Sequence, residues 1–158
     1  MAGADGEHLT RNRAGAAGFT LIEIMIVVGM LATFASFAIP SLTAYIERAR
    51  IARAIGDIRT MQTELASSDS LPDDMTGIER ATMSDPWGNP YVYHKFVVPP
   101  GIQGQARKDR FLVPINSQYD LYSMGRDGDS RLPLTPQVSQ DDVIRANDGS
   151  YIGLAAGY

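Results

Sequence analysis

The amino-acid sequence predicts an α+β protein. One long N-terminal α-helix spans a membrane in its first half and packs through its second half on a small antiparallel sheet of about three strands, followed by a C-terminal loop. Three observations predict this. Phe19 to Ile39 is an apolar run broken by a single charge, Glu23. From Leu42 to Leu65 apolar residues recur at spacings of three and four, the period of one helix face. Beyond Pro72, short segments rich in aromatic and β-branched residues alternate with turn formers, the pattern of a meander.

The apolar run is 21 residues, about 32 Å as a helix against a hydrocarbon core of about 30 Å, so it crosses a bilayer once. It is apolar on all sides, and too little chain remains to wrap it as a buried core helix. A secretory signal peptide is the alternative, with Arg11 and Arg13 as its basic start and the small residues around Ala35 to Ala38 as its cut site. Its apolar region would be only about 7 to 15 residues long, without an acid near its start. Glu23 therefore needs a reason. An acid at the bilayer centre costs about 2.5 to 3.5 kcal/mol and calls for a partner. An ammonium made by cutting at Gly18/Phe19 lies one helical turn away and is equally within reach from a neighbouring chain. In a fibre of staggered helices that attraction sets the axial register. Arginines flank the span on both sides, Arg11 and Arg13 before it and Arg48, Arg50 and Arg53 after it, so the positive-inside count does not decide orientation.

After Pro40, the residues Leu42, Tyr45, Ile46, Ala49, Ala52, Ile55, Ile58, Met61 and Leu65 form a stripe, read as the face that covers the sheet. From Phe19 to about Ser67 the helix would run about 70 Å. Pro40 is a local weakness in it, since proline removes a backbone donor and crowds the preceding turn. Ser67 to Pro72 ends the helix. Asp85-Pro86-Trp87-Gly88-Asn89-Pro90 is a turn feeding a strand from Tyr91 to Val98, with Trp87 over the helix. Pro99 to Arg110 reads as a loop whose Arg107, Lys108 and Arg110 form a solvated basic tip. Phe111 to Ile115 and Tyr119 to Met124 are further strands, Asn147-Asp148-Gly149 is a turn, and Tyr151 to Leu154 docks as a short edge strand. A sheet this small needs the helix for its core.

Composition excludes some functions. The formal net charge is −4, with charges of both signs interspersed, so there is no basic, aromatic-rich face of the kind that tracks phosphates. There is no cysteine, so redox compartment is not legible. His8 and His94 stand alone and no catalytic constellation surrounds them, so no enzyme activity and no organic cofactor are expected.

Gly18-Phe19-Thr20-Leu21-Ile22-Glu23, the apolar run behind it and Pro40 resemble the N-terminus of the type IV pilin and type II secretion pseudopilin superfamily. Asp85-Pro86-Trp87-Gly88-Asn89-Pro90-Tyr91 resembles a signature of its major pseudopilins. The resemblance implies a pilin-like fold and four segments: a leader over 1–18, a transmembrane and assembly helix over 19–39, an amphipathic periplasmic helix over 40–70, and a periplasmic sheet and C-terminal loop over 71–158. It also implies that a prepilin peptidase cuts between Gly18 and Phe19 and methylates the Phe19 amine, that Glu23 is the assembly glutamate, and that Pro40 kinks the helix. The expected function is that of the major subunit of a type II secretion pseudopilus, a periplasmic filament anchored in the inner membrane that drives protein export. The partners implied are further copies of the chain, the peptidase, the inner-membrane assembly platform and minor pseudopilins. A type IV pilus subunit for adhesion or motility is the alternative, and a membrane-tethered periplasmic binding module is a third reading. The tryptophan motif and the missing cysteines favour the first.

Ser123-Met124-Gly125-Arg126-Asp127-Gly128 and Asp141-Asp142-Val143-Ile144 are similar to the family segments that hold a calcium ion. By that resemblance Asp127 and Asp141 are side-chain ligands, Asp142 is a further candidate and Met124 offers its carbonyl. Oxygens gathered from two segments suit calcium and would tie down a loop with little apolar material. Solvated turn aspartates are the other reading. The Asp127 to Asp141 interval is long for the family, and Leu132-Pro133-Leu134-Thr135-Pro136 replaces its glycine-rich stretch.

Overall fold

A computed structural model describes residues 18–78, 83–96, 105–110 and 112–158. The leader expected over 1–18 therefore lies outside the described residues except for Gly18. Two compact units are present, one up to Leu42 and one from Thr43 to Tyr158.

Helix α1, Leu21–Ser67, is 47 residues long and runs through Pro40. Its start is set by Thr20, whose hydroxyl oxygen accepts the Glu23 N–H at 3.2 Å, an N-cap bond to the third helical residue. Every residue from Gly18 to Ile46 is exposed, with Phe19 and Phe37 each at 80%. An apolar helix face of that extent needs lipid or other chains around it. It is the one described helix long and apolar enough to cross a membrane.

The second unit holds a four-stranded antiparallel sheet in the order β1-β2-β3-β4, one strand more than predicted. β1 is Val92–Lys95, β2 Tyr119–Ser123, β3 Val143–Ala146 and β4 Tyr151–Leu154. The edge strand expected at Tyr151 to Leu154 is present as β4, paired to β3 with Val143 opposite Leu154. The strand expected at 111–115 does not form over its described part. Leu112 instead closes a tight turn on Asp109, and Pro114 has no N–H to give a ladder. Its place beside β2 is taken by β3, with Tyr122 opposite Ile144. All four β3 residues are buried, so no alternation marked that strand in the sequence.

Both faces of the sheet are covered, because successive side chains of each strand point to opposite sides. On one side Ala54, Ile58, Met61 and Leu65 of α1 pack with Ile78, Tyr91, Tyr119, Leu121 and Val143. On the other, Ile115, Leu134, Ile144, Ala146 and Ala155 form a second cluster capped by Tyr122, Tyr151 and Tyr158. The buried face of α1 is thus Ala54, Ile58, Met61 and Leu65. Leu42, Tyr45, Ile46, Ala49 and Ala52 of the predicted stripe are exposed, because the sheet reaches only the last turns of the helix.

Candidate functional site

The N-terminal site consists of Gly18, Phe19 and Glu23. Gly18, Phe19 and Thr20 precede the helix and are exposed. Among the described residues, a Cβ placed on Gly18 would meet nothing within 4 Å. Glu23 lies in the first turn of α1, where the helix dipole favours a negative charge. Pro40 sits within α1, and the helix continues through it.

The second site is the turn over 123–130. Gly125 and Gly128 have φ of +66° and +70°, conformations that suit glycine. Asp141 Oδ2 accepts the Arg126 N–H at 2.9 Å and the Asp127 N–H at 3.2 Å. Asp127 Oδ1 accepts the Asp129 N–H at 2.9 Å. Asp127 and Asp141 line one pocket of about 410 Å³ with Glu47, Ile51, Arg126, Gln137, Gln140 and Leu154. The carboxyl and amide oxygens of that lining suit a hard cation such as calcium. Among the described residues no three His, Cys, Asp or Glu side chains come close enough to hold a metal. A cation there would draw most of its shell from carbonyl and amide oxygens.

Asp142, read from sequence as a further ligand, is occupied elsewhere. It is fully buried, and its Oδ2 accepts from Arg107 Nη2 at 2.5 Å and from the Ser130 hydroxyl at 2.6 Å. Neighbouring residues on an extended segment face opposite ways, so Asp141 turns to the pocket and Asp142 to the interior. Burial pushes the Asp142 carboxyl up to about 6, only partly offset by Arg107. Arg107, expected at a solvated tip, is 1% exposed and lies over the Tyr122 ring at 4.0 Å.

Sequence reasoning missed three further polar clusters. Arg145 lies over Tyr119 at 4.1 Å and donates to Asn116 Oδ1 at 3.2 Å and to Gln62 Oε1 of α1 at 3.2 Å. Asp120 accepts the Arg107 N–H at 2.7 Å and Asn116 Nδ2 at 2.9 Å, and burial raises its carboxyl above the usual range. Asp85 Oδ1 accepts the Trp87 and Asn89 N–H groups at 3.0 and 2.8 Å. Only this last was locally legible, since an aspartate ahead of Pro-x-Gly commonly closes a turn on itself. His94 is half-buried on β1 opposite Asp120.

An exposed apolar helix with one acid in its first turn, continued into an α+β domain, defines the class as pilin-like. The Type II secretion system core protein G of Pseudomonas aeruginosa (strain PAO1) is 29% identical over 136 residues, covering 70% of this chain and 84% of that protein. The protein of that name in Escherichia coli (strain K12) is 28% identical over 137 residues, covering 71% and 83%. A fimbrial protein of P. aeruginosa is 39% identical over 51 residues, 32% of this chain and 33% of its own. No family model and no solved structure matches the chain. Over most of its length the chain is similar to proteins named Type II secretion system core protein G, and over about a third of it to type IV fimbrial proteins.

Proposed function

We propose that this chain is the major structural subunit of a type II secretion pseudopilus and has no catalytic reaction of its own. The observation that carries this is α1, exposed from Leu21 to Ile46 and apolar up to Ile39 but for Glu23. Such a surface needs a bilayer or other chains around it, and copies of this chain in a filament supply the latter. A prepilin peptidase cuts between Gly18 and Phe19 and methylates the Phe19 amine. The new ammonium and the Glu23 carboxylate of a neighbour neutralise one another in the filament core, and Pro40 lets α1 adjust as the subunit leaves the membrane. The domain beyond α1 lies in the periplasm, and an inner-membrane assembly platform and minor pseudopilins are the partners. Likeness over most of the chain to core protein G, against a third of it to fimbrial proteins, favours the pseudopilus over a type IV pilus.

Mass spectrometry of the N-terminus from the native host tests the processing. A methylated Phe19 is expected, and an intact leader or a cut beyond Ala35 overturns the filament reading. Glu23→Ala is expected to leave cleavage largely intact and abolish assembly, and normal filaments from that variant would refute the pairing. Gly18→Glu blocks processing, and a normally cut product sinks the site. Calcium held by Asp127 and Asp141 would tie the 123–130 turn to the segment before β3. The full chain in detergent then loses thermal stability on chelation, and an unchanged melting curve removes the metal from the account.

A further inference from the structure

The Asp85-Pro86-Trp87-Gly88-Asn89 turn is bonded at one end to the acidic turn and at the other to α1. Asp85 is 4% exposed, and its Oδ2 accepts the Ser123 hydroxyl at 2.5 Å. Ser123 Oγ in turn accepts the Gly125 N–H at 3.1 Å, and Asn89 Nδ2 donates to the Gly125 carbonyl at 2.9 Å. Asn89 also lies against Gly128, where a Cβ would meet its Oδ1 at 3.0 Å. The backbone of the acidic turn is therefore held from one side by two residues some 36 positions earlier in the chain. On the other side, Trp87 Nε1 donates to the Glu47 carboxylate, at 3.1 Å to Oε1 and 3.3 Å to Oε2. Glu47 belongs to α1 and also lines the pocket that contains Asp127 and Asp141.

We propose that the Asp85–Asn89 turn couples the acidic turn to α1. Asp85 and Asn89 are positioning residues for 125–129, and Trp87 passes the state of that turn to the helix through Glu47. A contiguous hydrogen-bond chain in a partly buried setting is stiff, so loosening one end is felt at the other. A cation at Asp127 and Asp141 stiffens the acidic turn and, through Asp85, Asn89 and Trp87, the helix around Glu47. That last step rests on the calcium reading, and the coupling itself does not.

The test is hydrogen exchange on the full chain in detergent micelles, read at 125–129 and in α1 around Glu47, together with the emission of Trp87, the single tryptophan. Asp85→Ala is expected to speed exchange about tenfold in both places. Asp85→Asn keeps an acceptor for both N–H groups and offers Ser123 Oγ a donor, so it restores most of the protection. Trp87→Phe keeps the ring, removes the bond to Glu47, and speeds exchange around Glu47 and, to a smaller extent, at 125–129, because coupling is reciprocal. The coupling is overturned if Asp85→Ala loosens the turn and leaves α1 unchanged, or if Trp87→Phe loosens α1 around Glu47 and leaves the turn unchanged. Calcium chloride is expected to slow exchange in both places and shift the Trp87 emission. If it protects the turn but leaves α1 and the emission unchanged, the coupling fails and the calcium reading stands. If calorimetry detects no calcium binding, the calcium reading fails and the variants alone decide the coupling.

Discussion

Alanine placed at Gly125 and at Gly56 should have opposite effects, for reasons visible in the structure. Gly125 has φ +66°, and a Cβ there would run into the backbone carbonyl of Asp141. The left-handed conformation costs an L-residue about 1–2 kcal/mol. The overlap is with backbone, which cannot swing aside, so the two segments must separate. Separation strains the Arg126 and Asp127 N–H bonds to Asp141 Oδ2, now 2.9 and 3.2 Å, and the Asn89 bond to the Gly125 carbonyl at 2.9 Å. A hydrogen bond to a charged group contributes about 1.5–3 kcal/mol. Losing one of them brings the expected destabilisation to about 3–5 kcal/mol. Gly56 sits inside α1 with open space at its Cβ position, where alanine gains about 0.5–1 kcal/mol of helix propensity. At about 4 °C per kcal/mol, Gly125→Ala lowers the melting temperature of the full chain in detergent by about 12–20 °C, and Gly56→Ala raises it by a few degrees. Far-UV circular dichroism and Trp87 emission follow the transition. Shifts of the same sign, or a Gly125→Ala protein within about 1 kcal/mol of the native one, would refute the reasoning.

Arg107→Met strands the fully buried Asp142 without its counter-charge, and breaking such a pair costs about 3–5 kcal/mol. The double variant Arg107→Met/Asp142→Leu recovers most of that in urea unfolding, and a loss below about 1 kcal/mol for the single change would contradict the buried pair. The pH dependence has a definite sign. Asp142, at about 6 when folded against 3.8 when free, holds a proton in the folded chain at pH values where the unfolded chain has lost it. Its contribution to stability therefore grows as pH falls from about 7 through 6 towards 4. Asp142→Asn should flatten that part of the melting-temperature profile, and an unchanged slope argues against it. Tyr91→Phe removes the 2.9 Å bond from the phenol to Asp57 of α1, with an expected loss of about 1 kcal/mol in the same unfolding measurement.

The α1 helix was legible because its signals are local. An unbroken apolar run and a three-and-four spacing follow from 1.5 Å of rise per residue, whatever the rest of the chain does. The strand over Tyr119 to Met124 and the edge strand at Tyr151 to Leu154 were legible for the same reason. β3 was not, because Val143 to Ala146 is buried on both faces and its Asp141-Asp142 prefix drew attention as a ligand pair. The apolar stripe from Leu42 to Ala52 misled in the other direction. Periodicity shows that a helix has an apolar face, and only the extent of the sheet shows how much of that face is covered.

What the sequence alone determined is the long apolar helix with one acid near its start and the pilin-like class it points to. Glu23 stands out because hydrocarbon tolerates no unpartnered charge, and Gly18-Phe19 precedes it within one helical turn. The tertiary structure decided which aspartates remain available. Asp141 and Asp142 are adjacent and chemically identical. Arg107, 35 positions before Asp142, meets it in the interior, while Asp141 faces the pocket with Asp127 and Glu47. Asp85 and Trp87 likewise read as a turn in sequence and become a link between Gly125 and Glu47 only in the fold. A charge's environment is set by residues brought to it from elsewhere in the chain, and neither spacing nor composition records which those are.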